Sequence, residues 1–397
     1  MEIITKSLGK GDVMKSVVLR GPALTQSGYG VHCRQVAQWL LERSDLDVKF
    51  MVLPWGDTPW IIDRSSHDGL IGKIMERTVR PDHRADVSIQ LQLPNEWDAK
   101  IGNVNIGMTA AVETDRANPT WVNACNTMDM VIVPSEHAKL SLTNAGKLEK
   151  PIHVVAEAYS QSIDKESLPS IIDFETPFNF LVFGQITGNN PNNDRKNLFF
   201  TLKWLCETFK DDPEVGVVLK TNCGRNSRID RRMVMNMIQS LLKEVRLGPG
   251  PRVYLLHGEM NDDEVAAIYR HNKIKALISL TRGEGFGLPL LEAAASGLPI
   301  IATSWSGHMD FLRQGKFIGV QYQLTDVHPS RVDNNIFMKG ARWANVSEED
   351  FKKVVLKFRK NPTIPGEWAL DLKRKITNRY NFTQICNDLS TATKDIL

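Results

Sequence analysis

The sequence predicts an α/β protein built from two parallel-sheet, Rossmann-like domains that face a common cleft. Short apolar runs typical of buried strands alternate with segments of helical periodicity in residues 16–156, and the same alternation restarts in residues 178–303. Residues 166–177 show neither period and are expected to form the linker. Because strands that alternate with helices form parallel sheets with right-handed crossovers, we expect ligands at the carboxyl ends of the strands.

Length and composition are those of an ordinary globular enzyme. With 397 residues, the chain is long enough for two domains that each bury a core. The net charge of +3 is too small to indicate a class of partner. The five cysteines are scattered without a Cys-x-x-Cys, and no apolar run is long enough to span a bilayer or to form a signal peptide. We therefore expect reduced thiols, a cytoplasmic location and no transmembrane segment.

The first domain, expected to span residues 1–165, opens with a strand, a turn-rich loop and a helix. Gly28, Tyr29 and Gly30 lie in that loop, where the free N–H groups of a helix start can meet an anion. The loop lacks the Gly-x-Gly-x-x-Gly pattern of a dinucleotide site, so a tight turn without a ligand is the alternative. Further along, Glu113 follows the strand predicted at residues 104–108, from which its carboxylate can reach the interdomain cleft.

The second domain, expected to span residues 178–375, supplies cations. Arg195 and Lys196 stand just before a helix predicted to begin at Leu198, where they can meet a diphosphate. Lys220 and Arg282 also fall at strand ends and are candidates for the same role. The alternative is that such basic residues are simply solvated on the surface.

A glycine-rich stretch follows the strand that ends near Leu280. Three alternate glycines lead into a helix that Pro289 is expected to open, so the stretch reads as strand, loop and helix. Glu284 lies in the loop and Glu292 in the first turn of the helix, which lets both carboxylates face one cleft. The candidate binding residues of this stretch, besides Arg282 and the two glutamates, are Gly283, Gly285, Phe286, Gly287 and Leu288.

In this stretch seven residues separate Glu284 from Glu292, within Gly-Glu-Gly-Phe-Gly-Leu-Pro-Leu-Leu-Glu-Ala. The pattern resembles the glycogen-synthase-like, retaining glycosyltransferases of the GT-B fold, also called group 1 glycosyltransferases. The resemblance implies that Glu284 contacts the donor sugar and Glu292 holds the ribose of the nucleotide. Lys196 matches the family's diphosphate-binding lysine, whereas Gln185 stands where relatives commonly have arginine. Glu113, the other catalytic candidate, stands near a position where many members have histidine, and three roles stay open for it: binding the sugar, ordering its loop or contacting the acceptor.

The resemblance implies transfer of a sugar from a nucleoside diphosphate sugar, UDP- or GDP-linked, to an acceptor hydroxyl with retention of anomeric configuration. The acceptor is expected to be a glycan, a glycolipid or a modified nucleic acid, and neither a metal nor a further cofactor is expected. Residues 1–165 then form the acceptor side and residues 178–375 the donor side, and a helix within residues 376–397 returns to the first domain.

Other functions stay open from the sequence. A phosphorylase or epimerase can share this fold, and so can a non-catalytic sugar-nucleotide-binding module. A phage-type enzyme acting on modified nucleic-acid bases is a further alternative, because a row of arginines can bind phosphate. That row is Arg225, Arg228, Arg231 and Arg232. The Asp-x-Asp at Asp45 and Asp47 precedes a strand and is interpreted as a solvated turn, and His308 is either near the donor or a hydrogen-bonded structural residue.

Overall fold

The structure is a computed structural model that describes residues 14–80, 82–169, 172–188 and 190–397. Within these residues the chain forms two six-stranded sheets and one two-stranded sheet. All strand pairs of the two larger sheets are parallel. The prediction of an α/β protein with two Rossmann-like, parallel-sheet domains is confirmed.

The first sheet belongs to the amino-terminal half. Its strands are β1 Lys15–Gly21, β2 Leu46–Val52, β3 Ala85–Leu91, β4 Gly102–Met108, β5 Met130–Val133 and β6 Ile152–Val154. The helices of this half are α1 Gly28–Leu41, α2 Leu70–Glu76, α3 Pro119–Thr127 and α4 Glu136–Thr143. The strand order β2-β1-β3-β4-β5-β6 reverses its direction between β1 and β3. Loops at this reversal point are where open parallel sheets bind ligands.

The second sheet, in the carboxyl-terminal half, is also parallel. Its strands are β7 Phe178–Phe183, β8 Val215–Lys220, β9 Arg252–Leu256, β10 Ile274–Ser279, β11 Ile300–Thr303 and β12 Ile318–Val320. The helices are α5 Leu198–Thr208, α6 Arg228–Val245, α7 Asp262–Tyr269, α8 Leu288–Ser296 and α9 Met309–Leu312. In the order β12-β11-β10-β7-β8-β9 the reversal lies between β7 and β10. The loops after these two strands carry the basic pair and the glycine-rich stretch of the sequence analysis.

An antiparallel hairpin and three helices complete the chain. The hairpin strands are β13 Tyr322–Asp326 and β14 Arg342–Val346, and the helices are α10 Glu348–Lys360, α11 Thr363–Arg379 and α12 Phe382–Thr393. Helix α12 packs on the first half, where Trp39 Nε1 donates a hydrogen bond to Ser390 Oγ at 3.1 Å. The hairpin was absent from the sequence-based expectations.

Local sequence explains the strand, loop and helix around Glu284. Strand β10 is nearly all apolar and buried, as is usual for a strand covered on both faces of a parallel sheet. Helix α8 starts after Gly287, whose φ of 106° suits glycine, and it ends at Gly297 with φ of 78°. Pro289 lies in the first turn, as predicted. No helix in the described part of the chain is long and apolar enough to cross a bilayer.

Candidate active site

Three loops bring the predicted charged residues together at the carboxyl edges of the two sheets. The loop after β7 carries Arg195 and Lys196, the loop after β10 carries Glu284, and the loop after β4 carries Glu113. The first two loops belong to the second sheet and the third belongs to the first sheet. The site therefore lies between the two halves of the molecule, as the sequence predicts for Glu284, Glu113 and the basic pair.

These four residues form what we call the charge cluster. Lys196 Nζ lies 2.7 Å from Glu284 Oε1, and Arg195 Nη1 lies 3.4 Å from Glu284 Oε2. The other guanidinium nitrogen, Arg195 Nη2, lies 3.3 Å from Glu113 Oε1. All four side chains are at most 24% exposed. Arg195 thus joins one carboxylate from each half of the protein.

The charges of the cluster stabilise one another against burial. Burial by itself raises the pKa of Glu284, but Lys196 and Arg195 outweigh it and lower the pKa to about 2. Burial also opposes the charge of Arg195, yet Glu113 and Glu284 together raise its pKa above the ordinary value. The pKa of Lys196 is lowered, because its burial exceeds the attraction of Glu284. Glu284 is therefore an anion over the whole neutral range.

A buried carboxylate holds the basic pair in place. Asp194 is fully buried and accepts hydrogen bonds from the backbone N–H of Leu198, at 2.7 Å, and from Thr187 Oγ1, at 3.0 Å. It thereby satisfies a free N–H group in the first turn of α5 and closes the loop that precedes this helix. Asn197 next to it adopts a left-handed backbone with φ of 56°. Asp194 was not singled out in the sequence, although it directly precedes the basic pair.

The backbone of Glu284 is fixed from the strand next to it. Its N–H donates to Ser306 Oγ at 2.9 Å, and its carbonyl accepts from the N–H of Gly307 at 3.0 Å. His308, fully buried, donates from Nε2 to the carbonyl of Thr303 at 2.7 Å. The turn after β11 is therefore a brace for the glycine-rich loop, with His308 as a hydrogen-bonded part of it.

Gly283 and Gly285 allow close packing of two loops. A Cβ on Gly283 would lie 2.0 Å from the carbonyl oxygen of Glu113, and one on Gly285 would lie 2.5 Å from that of Ala110. Ser135 Oγ also donates to the carbonyl of Gly285, at 2.5 Å. Only glycine fits at such distances from a facing backbone. The close packing of the two halves thus explains why glycine occupies these two positions. Their role in donor binding stays a prediction.

Glu292 lies on α8 beyond the charge cluster. Burial raises its pKa to about 8, with a contribution from the negative charge of Asp262 at the start of α7. Tyr269, at the end of α7, is buried beside it. The two glutamates of the glycine-rich stretch therefore differ sharply in electrostatics, since Glu284 is paired with cations and Glu292 is not.

Gly28, Tyr29 and Gly30 form the first turn of α1, which Ser27 caps, rather than the preceding loop in which the sequence analysis placed them. The Tyr29 ring stacks on Trp55 with centroids 4.0 Å apart, and its hydroxyl accepts the N–H of Ala110 at 3.0 Å. Gly30 packs against Thr25, whereas Gly28 is exposed with open space around it. Tyr29 thus holds the loop that carries Glu113. A direct contact of these three residues with a donor stays a prediction.

Four predicted binding residues lie outside the charge cluster. The guanidinium of Arg282 is buried, donates to Asn345 Oδ1 at 2.8 Å and lies over the Trp343 ring at 5.3 Å. Lys220 donates from Nζ to the carbonyl of Gly258 at 2.6 Å. Phe286 packs in the core and Leu288 packs beside the same core. Arg282 and Lys220 therefore brace loops in this structure.

Arg331 is a cation of the site that the sequence did not indicate. It lies in the connection between β13 and β14, over the Phe337 ring at 4.6 Å, and its Nη1 donates to the carbonyl of Thr187 at 3.3 Å. Burial and then repulsion from Arg195 lower its pKa, and Glu113 partly compensates. Arg331 is thus close enough for the charge cluster to change its pKa. No motif marks it, because it reaches the site only through the folding of the hairpin.

The other sequence candidates lie away from the cluster. Arg228, Arg231 and Arg232 are exposed along α6, and Arg225, just before this helix, pairs with Asp57 at 2.7 Å. Asp45 of the Asp-x-Asp pairs with Arg43 at the start of β2. Within the described residues, no group of three or more His, Cys, Asp or Glu side chains is placed to hold a metal ion.

The comparison with known families bears on this site. Residues 246–328, which contain Glu284 and Glu292, match the family model described as glycosyl transferases group 1. This region of the chain is therefore similar to the group 1 glycosyltransferases. A probable sucrose-phosphate synthase of Thermosipho melanesiensis is 26% identical over 168 residues, or 41% of this chain. The matched region spans only 35% of that curated relative.

Two solved structures are similar in fold to nearly the whole chain. Sucrose-phosphate synthase from Thermosynechococcus elongatus matches with a TM-score of 0.62 and 12% identity, over 96% of this chain and 99% of the other. Anabaena HepE, solved in complex with UDP and glucose, matches with a TM-score of 0.65 and 11% identity, over 96% and 100%. At these identities the likeness concerns the fold, which is GT-B in both halves.

Proposed function

We propose that this protein transfers a sugar from a nucleoside diphosphate sugar to an acceptor hydroxyl with retention of anomeric configuration. The observation that carries the proposal is the charge cluster, in which Lys196 and Arg195 are held by Glu284 and Glu113 at the meeting point of the two sheets. Two clustered cations beside a helix start fit a diphosphate, and two carboxylates fit the hydroxyls of a sugar.

The mechanism is electrostatic. A diphosphate at the start of α5 draws Lys196 and Arg195 toward its oxygens, and these cations stabilise the charge that develops as the sugar leaves. Glu284 loses part of its pairing in the same event and becomes free to accept hydrogen bonds from the sugar. Glu113, on the facing loop, closes the other side of the sugar. No carboxylate of the protein needs to attack the anomeric carbon.

The donor is proposed to carry UDP, with its ribose beside Glu292. Support comes from HepE, which shares the fold and whose structure holds UDP and glucose. The acceptor is a hydroxyl-bearing molecule that enters from the first half of the chain. The proposal includes neither a metal nor an organic cofactor, and it places the reaction in the cytoplasm.

Substitutions in the charge cluster test the proposal. Lys196→Ala and Glu284→Gln are each expected to lower kcat/KM about a hundredfold or more, because each removes a charge that acts on the departing diphosphate or the sugar. The measurement is donor consumption and transfer with UDP-, GDP- and ADP-glucose. Lys243→Ala, on the exposed face of α6, is the matched control and keeps wild-type kinetics.

Thermal unfolding of each variant separates lost chemistry from lost folding. Binding of a donor to wild type must raise its midpoint, since a ligand that binds only the folded state stabilises it. Wild-type kinetics in folded Lys196→Ala and Glu284→Gln would contradict the proposed site. Failure of wild type to bind any of the three donors would contradict the proposed function.

A further inference from the structure

The hairpin of β13 and β14 borders a cavity that we call the hairpin cavity. Its volume is about 600 Å³, which is in the range of sites that hold small molecules. Its wall contains Arg282 after β10, Asn192 in the loop before α5, and residues of the hairpin and of the connection between its strands. None of the four residues of the charge cluster lines it. The hairpin cavity is therefore a second place at which a ligand can bind.

Arg282 brings a buried positive charge to the hairpin cavity. It is 4% exposed, and the hydrogen bonds of its guanidinium to the described chain all go to neutral oxygens. Nη1 donates to Asn345 Oδ1 at 2.8 Å, and Nε donates to the carbonyl of Asp194 at 3.3 Å. Nη2 reaches the carbonyl of Pro191 and Asn197 Oδ1 at 3.5 Å each, which is longer than usual for such bonds. Nη2 can therefore donate to a stronger acceptor.

The charge of Arg282 is only partly compensated within the protein. A buried cation is costly unless a negative group lies against it. The Trp343 ring, whose centroid is 5.3 Å from the guanidinium carbon, offsets part of this cost. Burial nevertheless lowers the pKa of Arg282, because it outweighs the attraction of Asp194. An anion in the hairpin cavity supplies the missing negative charge.

Two further hydrogen-bond donors come from the connection between the hairpin strands. Lys339 is exposed and lines the cavity, and its Nζ makes no hydrogen bond to the described chain. His328 also lines the cavity, and its Nδ1 accepts the N–H of Ser330 at 3.3 Å. This bond assigns the proton of the neutral ring to Nε2, which is then a donor. Three donors from separate positions thus border one cavity and suit an oxyanion.

Asp326 is a carboxylate that also borders the cavity, at the end of β13. On the hairpin Thr325 lies opposite Trp343, and both line the cavity together with Asn345, two residues beyond Trp343. Because side chains alternate across a strand, the side chain of Asp326 lies on the other face of the hairpin. Asp326 is also exposed, so water screens its charge from Arg282 and from an anion beside it.

The rest of the wall is largely apolar. Val327, Pro329 and Val332 line the cavity with the Trp343 ring. An inorganic ion would occupy only a small part of about 600 Å³ and would leave this apolar surface uncovered. The wall therefore favours an anion that carries an apolar body.

We propose that the hairpin cavity binds a small organic oxyanion, a phosphate monoester or a carboxylate, with its charged group on Arg282, Lys339 and His328 and its body on the apolar wall. The two groups share one recognition chemistry, since both offer oxygens to the guanidinium fork. The ligand would also touch the support of the charge cluster, because the N–H of Arg282 donates to the carbonyl of Arg195 at 2.8 Å.

The test measures calorimetric Kd values of the whole protein for phenyl phosphate, benzoate and inorganic phosphate, with phenol as the uncharged probe. We expect at least one of the two organic anions to bind about tenfold or more tightly than phenol, and the tighter one identifies the charged group. Inorganic phosphate should bind more weakly than phenyl phosphate, because it covers no apolar surface. Equal binding of phenol and both organic anions would contradict the inference.

Variants locate the bound anion. Arg282→Lys keeps the charge but loses the fork, and Thr325→Trp fills the cavity. Each is expected to weaken binding of the tighter probe about tenfold or more. Gln323→Trp is the matched control, because Gln323 is exposed on the same strand and does not line the cavity. Lys196→Ala, in the charge cluster, should keep this binding.

Two outcomes overturn the inference. One is an unchanged Kd in folded Thr325→Trp, which would show that the probe does not occupy the cavity. The other is loss of binding in Lys196→Ala with retention in Thr325→Trp, which would assign the anion to the charge cluster. Thermal unfolding shows whether each variant is folded, and Thr325→Trp decides the test if Arg282→Lys is not.

Discussion

Two of the seams along which the halves of the molecule meet have opposite character. The hairpin seam is where the hairpin of β13 and β14 packs on the loop after β4 and on α3. The polar seam is where the loops after β1 and β2 meet the loops after β8 and β9. Both border the same cleft, yet one is an apolar core and the other is a set of exposed polar contacts.

The hairpin seam is a buried cluster shared by both halves. Trp343, 1% exposed, and Phe337 of the hairpin region pack with Val112 and the fully buried Trp121 of the first half. Asp115 ties the backbones together, because its N–H donates to the carbonyl of Arg342 at 2.9 Å and its carboxylate accepts the N–H of Arg342 at 2.7 Å. The hairpin therefore belongs to both halves.

The polar seam consists of polar and charged side chains that are exposed or half-buried. Gln26 donates from Nε2 to Glu259 Oε1 and accepts from Asn226 Nδ2, both at 2.6 Å. Asp57 pairs with Arg225 at 2.7 Å, with the side chains 77% and 67% exposed. Such contacts exchange readily with water and add little to stability.

The difference indicates how the cleft opens. Apolar burial at the hairpin seam is lost only when large side chains leave their core, whereas the polar seam can separate at small cost. We therefore expect the two halves to pivot at the hairpin and to admit the donor at the polar seam. The hairpin also contacts Arg282 and the loop of Glu113, so we expect it to keep these two loops aligned during this motion.

The largest effect is expected for Trp343→Ala. Removing this buried ring should lower the free energy of unfolding by about 3–5 kcal/mol, because it leaves a cavity in the shared core. Denaturant unfolding measures the change. Trp60→Ala is the matched control, since Trp60 is 44% exposed and its loss should change the free energy by less than about 0.5 kcal/mol. Equal effects in the two variants would contradict the seam comparison.

A smaller effect is expected for Asp115→Ala. The variant leaves the N–H of Arg342 without its carboxylate partner, at a cost of about 1–2 kcal/mol in the free energy of unfolding. The same unfolding experiment checks it, with Asp326→Ala on the exposed edge of the hairpin as control. Transfer activity should fall as well, because Asp115 belongs to the loop that carries Glu113. An unaltered unfolding curve would show that the apolar contacts alone hold this seam.

The smallest effect on stability is expected for Arg225→Gln at the polar seam. Its ion pair is exposed, so the unfolding midpoint should not change measurably. The KM for the donor should change by less than about fivefold, which steady-state kinetics can detect. If Arg225→Gln destabilised the protein as strongly as Trp343→Ala, the assignment of the pivot to the hairpin would be wrong.

Much of the fold could be predicted because the strands and helices of a parallel α/β protein follow from the local periodicity of its apolar residues. The alternation of apolar runs and helical segments predicted both sheets, and Pro289 and Gly297 marked the two ends of α8. The hairpin was missed because its strands are short and half exposed. Its hydrophobic residues pack against the first half of the chain, so they show no local periodicity that would indicate strands.

The site was predictable to the extent that its residues stand together in sequence. Arg195 with Lys196, and Glu284 with its glycines, fall in loops after strands, and the structure joins them in one cluster. Arg331 carries no motif, since it lies near the cluster only through the hairpin fold, which brings its side chain to the carbonyl of Thr187. The roles of the predicted site residues stay predictions until the variants are measured.

The sequence by itself determined the class of fold and indicated the charged residues that the structure brings together, because strands, helices and loop glycines follow from local chemistry. Only the tertiary structure decided which cations face the carboxylates and that Arg282 and Lys220 brace loops. The physical reason is that charge and burial act through space. Arg195 meets Glu113 as well as Glu284 only because the two halves lie against each other.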